Sequence, residues 1–294
     1  MVLAKLGGVE IGGGRPVAIV GAINLSRDSF YKGSIVRGKG VALRIAREMV
    51  EQGAVILDVG AMATGPRSVA ITPKKEMRIL LPVIRSLSRR LDVPISADTQ
   101  RAEVARAAIE AGADIVNDIS GLKADARMGE TIAKAGCSAL LMAARKLPGD
   151  VYEIGEINDA LRESLRLCRG AGIPLKRVIV DPAIGHWPAR LARLSQVKDK
   201  KLSGGKYAPA TLADLGILAR LREVKVGRPI CVGISRKSFV GEVLGLKSPQ
   251  DRLVGSLAAS VIAVQNGAHA LRTHDPKETI QAVRIAEAIR GAVR

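Results

Sequence analysis

Along the chain, short runs of β-branched and other apolar residues alternate with longer stretches in which apolar positions recur every three or four residues. The first pattern suits buried strands and the second suits helices with one face on a core. Eight strands are read this way: Val17–Asn24, Val55–Gly60, Val93–Thr99, Asp114–Ser120, Ser138–Ala143, Val178–Ala183, Pro229–Ser235 and Ala270–Asp275. Helical patterns lie between them, among them Ala42–Gln52, Arg101–Ala111 and Leu212–Glu223, and a last one, Pro276–Val293, opens on proline. The joint from helix to strand is written alike in EQGAVILDVG, EAGADIVNDIS, KAGCSALLMA, GAGIPLKRVIVDP and QNGAHALRTHD. Glycine there supplies the left-handed cap that turns a helix back into a sheet. Eight consecutive strand-helix units in 294 residues predict an α/β protein, a single (β/α)8 TIM barrel occupying 1–294 as one domain. The longest connection, His186 to Pro209, contains the polar run KDKKLSGGKY and leaves the active-site end of a strand, as either a lid or a solvated surface loop.

Charge changes the picture modestly. Forty-six Lys and Arg against 28 Asp and Glu give +18, which favours anionic partners. The basic residues are spread over many helical patterns rather than gathered in a stripe, and aromatics make up only 2%, so stacking platforms for nucleic acid are nearly absent. Small anionic molecules remain the better expectation. Cys137, Cys168 and Cys231 show no C-x-x-C spacing and sit in apolar or helical surroundings, as small core residues rather than disulfides or zinc ligands. The N-terminal MVLAKLGGVEIGGG lacks the continuous apolar segment of a secretory signal, and no run approaches the roughly 20 apolar residues of a membrane span. The expected compartment is the cytoplasm.

In a barrel of this kind, polar groups at the C-terminal ends of the strands face the mouth. Those ends carry Asn24, Asp98, Asn117 with Asp118, Asp181, the run Ser235, Arg236, Lys237 and Ser238, and finally Arg272 with His274. Arg272 and His274 are two apart, so an extended chain aims both to one side, as a cationic pair suited to phosphate or diphosphate. The acids and the amide suit a ligand edge with adjacent N–H donors and an acceptor. Taken singly, Asp98 serves equally well as a helix cap, Asn117 as a turn residue and Asp118 as half of a salt bridge. Their recurrence at one end of the repeat favours a site. Histidines are confined to His186, His269 and His274, with His269 read as a surface residue, and no Cys-His or Ser-His-Asp arrangement is visible.

The segments GAINLSRDSF, GAVILDVGAMATGP, PISADTQRAEVARAAIEAGADIVNDISGL, VIVDPAIG, VGISRKSFVGEVLG and ALRTHDPKETIQAV together resemble, in order, the motifs of the dihydropteroate synthase family. SRKSF and R-x-H-D are the most specific of them. DVG and NDIS also resemble pterin methyltransferases built on a similar barrel, an alternative that has no need of a diphosphate cluster. A non-catalytic pterin-binding protein is the other alternative. The resemblance implies a transferase joining 6-hydroxymethyl-7,8-dihydropterin diphosphate to p-aminobenzoate or a related arylamine, with Mg2+ assistance and release of diphosphate, in a homodimer. It implies that Asp98, Asn117, Asp181 and Lys237 hold the pterin, and that Asn24, Arg272 and His274 hold the diphosphate. By the same token Asn24 touches the metal, Lys237, Arg272 and His274 assist the chemistry, and Ser238, Thr64 and Arg67 receive the aryl acceptor. Developing negative charge on the leaving diphosphate is met electrostatically, and no protein nucleophile is required.

The chain departs from the family pattern on the acceptor side. Lys32 follows Phe30 and Tyr31 where an acid is expected, Gly65 precedes Pro66 where an arginine is expected with Arg67 one place beyond, and Gly185 is followed by His186 in place of Phe. The fifth-strand M-H-M-R is reduced to Met142, Ala143, Ala144 and Arg145. Two accounts stand: divergence with Arg67 replacing the missing arginine, or a phosphorylated ribosyl-aminobenzene as acceptor, for which Lys32 and Arg67 are useful cations.

Overall fold

The structure is a computed structural model that describes residues 2–25, 39–62, 71–196 and 206–292. All eight strands read from the sequence are present and parallel: β3 (Ala18–Asn24), β4 (Ile56–Gly60), β5 (Ile95–Asp98), β6 (Ile115–Asp118), β7 (Ser138–Met142), β8 (Val178–Asp181), β9 (Cys231–Gly233) and β10 (Ala270–Thr273). Their order is β8-β7-β6-β5-β4-β3-β10-β9. A parallel bridge between Val180 and Ile230, with Val180 N donating to Pro229 O at 3.0 Å, joins the two ends into a barrel.

Helices α1 (Lys39–Glu51), α2 (Pro73–Ser88), α3 (Ala102–Glu110), α4 (Met128–Ala135) and α5 (Ile154–Ala171) follow the strands in turn around the outside. After β8 come α6 (Pro188–Leu194) and α7 (Pro209–Ala219), after β9 come α8 (Ser238–Leu244) and α9 (Leu253–Gln265), and α10 (Pro276–Ala292) closes the chain. The connection expected to be a lid or a loop therefore contains a helix, α6, and its residues 197–205 lie outside the described ones. Every helix-to-strand joint quoted above has its glycine at positive φ: Gly53, Gly112, Gly136, Gly172 and Gly267. At Gly112 the requirement is double, since φ is +109° and a Cβ would stand 2.4 Å from Ser88 Oγ.

A hairpin that the hydrophobic periodicity did not yield, β1 (Leu3–Leu6) with β2 (Val9–Gly12), precedes the barrel. Its Ala4, Leu6 and Ile11 are buried against Ala18, Val20, Ile56, Ile115, Leu140, Ile179 and Ala270, apolar residues from the N-terminal parts of the strands. The hairpin thus plugs the floor of the barrel and leaves only the opposite end open. Gly7 N donates to Ser138 Oγ at 2.9 Å and Arg228 Nη2 to Leu3 O at 2.8 Å, which fixes it there. Between sheet and helices runs the larger core, with Leu57, Ile84, Ile95, Val104, Leu141, Val180 and Val232 fully enclosed. Basic charge is dispersed as expected, much of it in one-turn helix pairs such as Arg44–Glu48, Arg106–Glu110 and Arg166–Glu163. All three cysteines are buried and unpaired, and burial pushes the Cys168 thiol up to about 12.

Candidate active site

Strand register brings the strand-end residues to one level of the open mouth. Asn24 is opposite Gly60, Gly60 opposite Asp98, and Asp98 opposite Asn117. Two residues deeper, at the level where Asp58 faces Ser96, lies an acid that the strand-end rule missed. Asp58 is fully buried and accepts from Arg272 Nε at 2.6 Å and Asn117 Nδ2 at 3.0 Å through one oxygen, while its other oxygen has no partner among the described residues. Arg272 Nη2 reaches Asp98 Oδ2 at 3.1 Å, so one guanidinium bridges two carboxylates. Gly60 makes room for this: a Cβ there would stand 3.2 Å from Asp98 Oδ2. Burial works against charge on Arg272, but the carboxylates of Asp58 and Asp98 outweigh it and raise its pKa. Burial, with Asp58 alongside, pushes Asp98 up to about 7 despite the guanidinium.

Across the mouth, β8 ends in Asp181, whose Oδ1 accepts from Ala183 N at 2.7 Å. The following turn holds Ala183 at φ +66°, a left-handed conformation that a β-carbon disfavours and that the surroundings must enforce. Lys237 N-caps α8 and sends its ammonium back across the mouth to the carbonyl of Ile184, 5.4 Å from the centre of the Trp187 ring. Burial lowers the lysine pKa and raises that of Asp181, and each charge opposes the shift of the other. Ser238 opens α8 next to Lys237, so both stand at this side of the mouth.

His274 departs from expectation. Its Nε2 lies 2.9 Å from Asn24 Nδ2 and its Nδ1 3.1 Å from Ser235 Oγ, so Asn24, Ser235 and His274 form one hydrogen-bonded set. Burial and the nearby Arg272 push its pKa down to about 3. The imidazole is therefore neutral at ordinary pH, and the expected cationic pair is one cation beside a neutral ring. Arg236 is a second correction. At φ +56° it turns out of the mouth, and its buried guanidinium grips both oxygens of Asp275, at 2.8 and 2.6 Å, and the Pro249 carbonyl. Asp118 also turns away, to organise the loop after β6 by accepting from Ser120 N, Ser120 Oγ and Leu122 N rather than by a salt bridge. His269 is not a surface residue: its half-buried ring accepts from Ile230 N at 3.1 Å and ties β10 to the start of β9.

Behind the loop after β8 lies a pair that the sequence reading did not single out. Arg190 of α6 and Asp214 of α7 are both fully buried and 2.5 Å apart. A lone acid in the nearly all-apolar run ATLADLGILA was the available signal, because a buried carboxylate demands a partner. His186 Nε2 is 3.0 Å from Thr211 Oγ1, which donates to Glu242 at 2.8 Å, so the residue replacing the family's Phe is held by hydrogen bonds. Met142 ends β7, and Arg145 pairs with Glu156 at 3.2 Å on the surface. Thr64, Arg67, Gly65, Pro66 and Lys32 lie outside the described residues. No cluster of three or more His, Cys, Asp or Glu fit to hold a metal occurs among the described residues. Asn24, at the end of β3, nevertheless offers an amide oxygen, the hard type of donor that Mg2+ takes when substrate phosphates supply most of its shell.

The chain matches a family model described as pterin binding enzyme over residues 20–274. It is 33% identical over 286 residues to the dihydropteroate synthase of Synechocystis, covering 94% of this chain and 91% of that protein. A dihydropteroate synthase from Coxiella burnetii, solved in complex with pteroic acid, superposes with a TM-score of 0.82 at 34% identity, covering 99% of this chain and 100% of that one. That of Xanthomonas albilineans, solved with 4-aminobenzoic acid, gives 0.81 at 30% identity, with 98% of each chain covered. With a barrel open only at its strand ends and paired carboxylates at that opening, the chain belongs to the pterin-binding family of dihydropteroate synthases.

Proposed function

We propose that the mouth of this barrel seats 6-hydroxymethyl-7,8-dihydropterin diphosphate and joins it to p-aminobenzoate, expelling diphosphate. The observation that carries this is the hydrogen-bonded set of Asp58, Asp98, Asn117 and Arg272 on one side of the mouth, with Asp181 and Lys237 across it. A pterin has a guanidine-like edge with adjacent N–H donors, and an ionised Asp181 accepts two such bonds. Asn117 and Asp98 offer a mixed donor-acceptor edge for the rest of the bicycle, and Lys237 stands over it. Arg272 has a second role: by neutralising the acids around it, it lets a flat, polar molecule sit among carboxylates without repulsion.

The reaction breaks the bond between the pterin methylene carbon and diphosphate and forms one from that carbon to the arylamine nitrogen. The leaving group takes the electron pair of the broken bond, and the nitrogen loses a proton. Cys137, Cys168 and Cys231 are buried, and no nucleophile is required. The Asn24 amide and the nearby Arg272 donate to the departing oxygens, interactions that strengthen as negative charge develops, while neutral His274 accepts from Asn24 Nδ2 and so orients that amide. Mg2+, when bound, neutralises the diphosphate, with Asn24 as its protein ligand. Thr64, Arg67 and Ser238 complete the acceptor side in this reading.

As a homodimer the protein would cover an apolar surface on its last helices, where Val254 and Ile262 of α9 and Ile285 and Ile289 of α10 are exposed while Ser256 and Ser260 turn inward. An exposed set of large apolar side chains on adjacent helices suits an interface between copies. No helix of the described residues is long and apolar enough to cross a membrane, and three unpaired thiols suit a reducing cytoplasm.

The test is to incubate the protein with pterin diphosphate, Mg2+ and either p-aminobenzoate or its phosphorylated ribosyl analogue. Diphosphate release and the mass of the conjugate are then measured. Conjugate with p-aminobenzoate is expected. Pterin binding without release would overturn the synthase reading, and preference for the phosphorylated amine would replace the acceptor.

A further inference from the structure

The buried pair Arg190–Asp214 spends its hydrogen bonds almost entirely on one short segment. Arg190 Nη2 donates to Ala183 O at 2.8 Å and to Val151 O at 2.6 Å, and its Nη1 donates to Gly185 O at 3.1 Å and to Asp214 Oδ1. Asp214 Oδ1 also accepts from Gly185 N at 2.8 Å. The Gly185 residue is therefore held from both its N–H and its carbonyl, and Ala183 O is held a second time by Trp187 Nε1 at 2.9 Å. Between these two pinned residues is Ile184, whose carbonyl receives the Lys237 ammonium. On the near side of them is Ala183 N, which donates to Asp181. Two charges without access to water thus bear, through three consecutive residues, on an acid and an amine at the mouth.

We propose that Arg190 and Asp214 are positioning residues of the pterin subsite, clamping Ala183–Gly185 so that the Asp181 carboxylate and the Lys237 ammonium face one ligand at a fixed separation. This rests on the reading that Asp181 and Lys237 hold the pterin. Stability alone gives little reason for the pair, because desolvating two charges offsets their attraction and apolar residues of similar size often serve as well. Their hydrogen bonds supply what apolar packing lacks, a direction for each peptide of a turn that contains Ala183 at positive φ. Neither clamp residue bonds to Asp58, Asp98, Asn117 or Arg272 among the described residues, so loss of the clamp should act on one half of the subsite.

Trp187 is the single tryptophan of the chain, and it lies in this segment against Lys237, so its emission reports the turn without any turnover. The variants are Asp214→Asn, Arg190→Lys and the apolar double replacement Arg190→Met with Asp214→Leu. Each is measured for thermal midpoint, Trp187 emission, Kd for bare hydroxymethyl pterin and KM for the arylamine. The double variant is expected to weaken pterin binding about tenfold or more, the size of one charge-assisted hydrogen bond lost at Asp181 or Lys237, and to shift the Trp187 emission. Arylamine KM should stay within about twofold, as for a group outside the altered contacts. Asp214→Asn keeps an oxygen acceptor and should fall between parent and double variant.

A folded double variant with unchanged pterin Kd would overturn the proposal, as would equal losses for both substrates, which would mark a scaffold role. If the double variant does not fold, Asp214→Asn and Arg190→Lys decide on the same readouts. Asp181→Ala and Lys237→Ala are run alongside. If they lose pterin affinity and the clamp variants do not, the clamp alone is refuted; if they too retain it, the pterin assignment falls and the proposal with it.

Discussion

The two walls of the mouth are built differently. On the β4–β6 and β10 side, Asp58, Asp98, Asn117 and Arg272 project from strands, so the barrel register itself sets their separations. On the β8–β9 side, Asp181 also ends a strand, but its carboxylate leans on the turn that follows, held by Arg190 and Asp214, and Lys237 caps a short helix. A set held by strands alone needs no further support once the sheet is formed, whereas a set completed by a turn and a helix N-terminus needs a second layer of side chains behind it. One mouth can thus combine a wall fixed by topology with a wall completed by buried ionic contacts behind it.

The sharpest way to break this contrast is Arg272→Ala. It leaves Asp58 and Asp98 facing each other without their cation in a partly closed mouth. Removing one partner of such a group costs about 3 to 5 kcal/mol, here divided between fold stability and binding. Because Arg272 is bonded to Asp58 and Asp98 of the strand-held wall, affinity for bare hydroxymethyl pterin should fall along with affinity for its diphosphate if that wall seats the pterin as proposed. Calorimetry with both ligands and a thermal melt check this. A variant that loses only the diphosphate would show that Arg272 serves the leaving group alone and that the strand wall stands without it.

Asp181→Ala addresses the other wall. The loss is expected to be about 1.5 to 3 kcal/mol of pterin affinity, the size of charge-assisted hydrogen bonds, with a thermal midpoint close to the parent's. Equal Kd values for parent and folded variant would remove Asp181 from the site and leave the turn without a ligand to orient.

The same contrast separates what was legible in the sequence from what was not. Strand positions and their C-terminal polar residues followed from apolar runs and glycine joints, so Asp98, Asn117 and Asp181 were expected in the closing residues of their strands and Lys237 just beyond the next, which is where they stand. Asp58 escaped because it lies inside its strand, in VILDVG, where a rule based on strand ends does not look. Arg190 escaped because PARLARL reads like any basic helix surface, and its total burial depends on α6 folding under the loop after β8. Arg236 and Arg272 look alike as basic residues near strand ends. A positive φ turns Arg236 out to Asp275, and no pattern of residue types fixes that in advance. The neutral state of His274 likewise follows from burial and a neighbouring cation, quantities that exist only in three dimensions.

The smallest expected effect, and the one that compares charge states rather than side chains, is pH dependence. Asp98 is raised from 3.8 to about 7, so its contribution to stability is fully present below pH 3.8 and is lost as pH rises through 7, because burying the ionised form is unfavourable. His274 is lowered from 6.5 to about 3, so its contribution is present above pH 6.5 and is lost as pH falls toward 3. Between pH 4 and 6.5 the two oppose each other, and thermal midpoints should change less with pH than either group alone would require. Asp98→Asn removes one side of the balance, and its midpoint should then fall more steeply on acidification. His274→Gln removes the other, and its acid-side loss should be shallower than the parent's. Ligand binding gives the finer reading. If the pterin donates an N–H to ionised Asp98, affinity should rise between pH 6 and 8 by up to about tenfold, the change in the ionised fraction of a group with a pKa of about 7. That rise should vanish in Asp98→Asn. Affinity that instead falls over this range in the parent, but not in the variant, would mean that protonated Asp98 is the donor, and would reverse the direction of the hydrogen bond on the strand-borne wall.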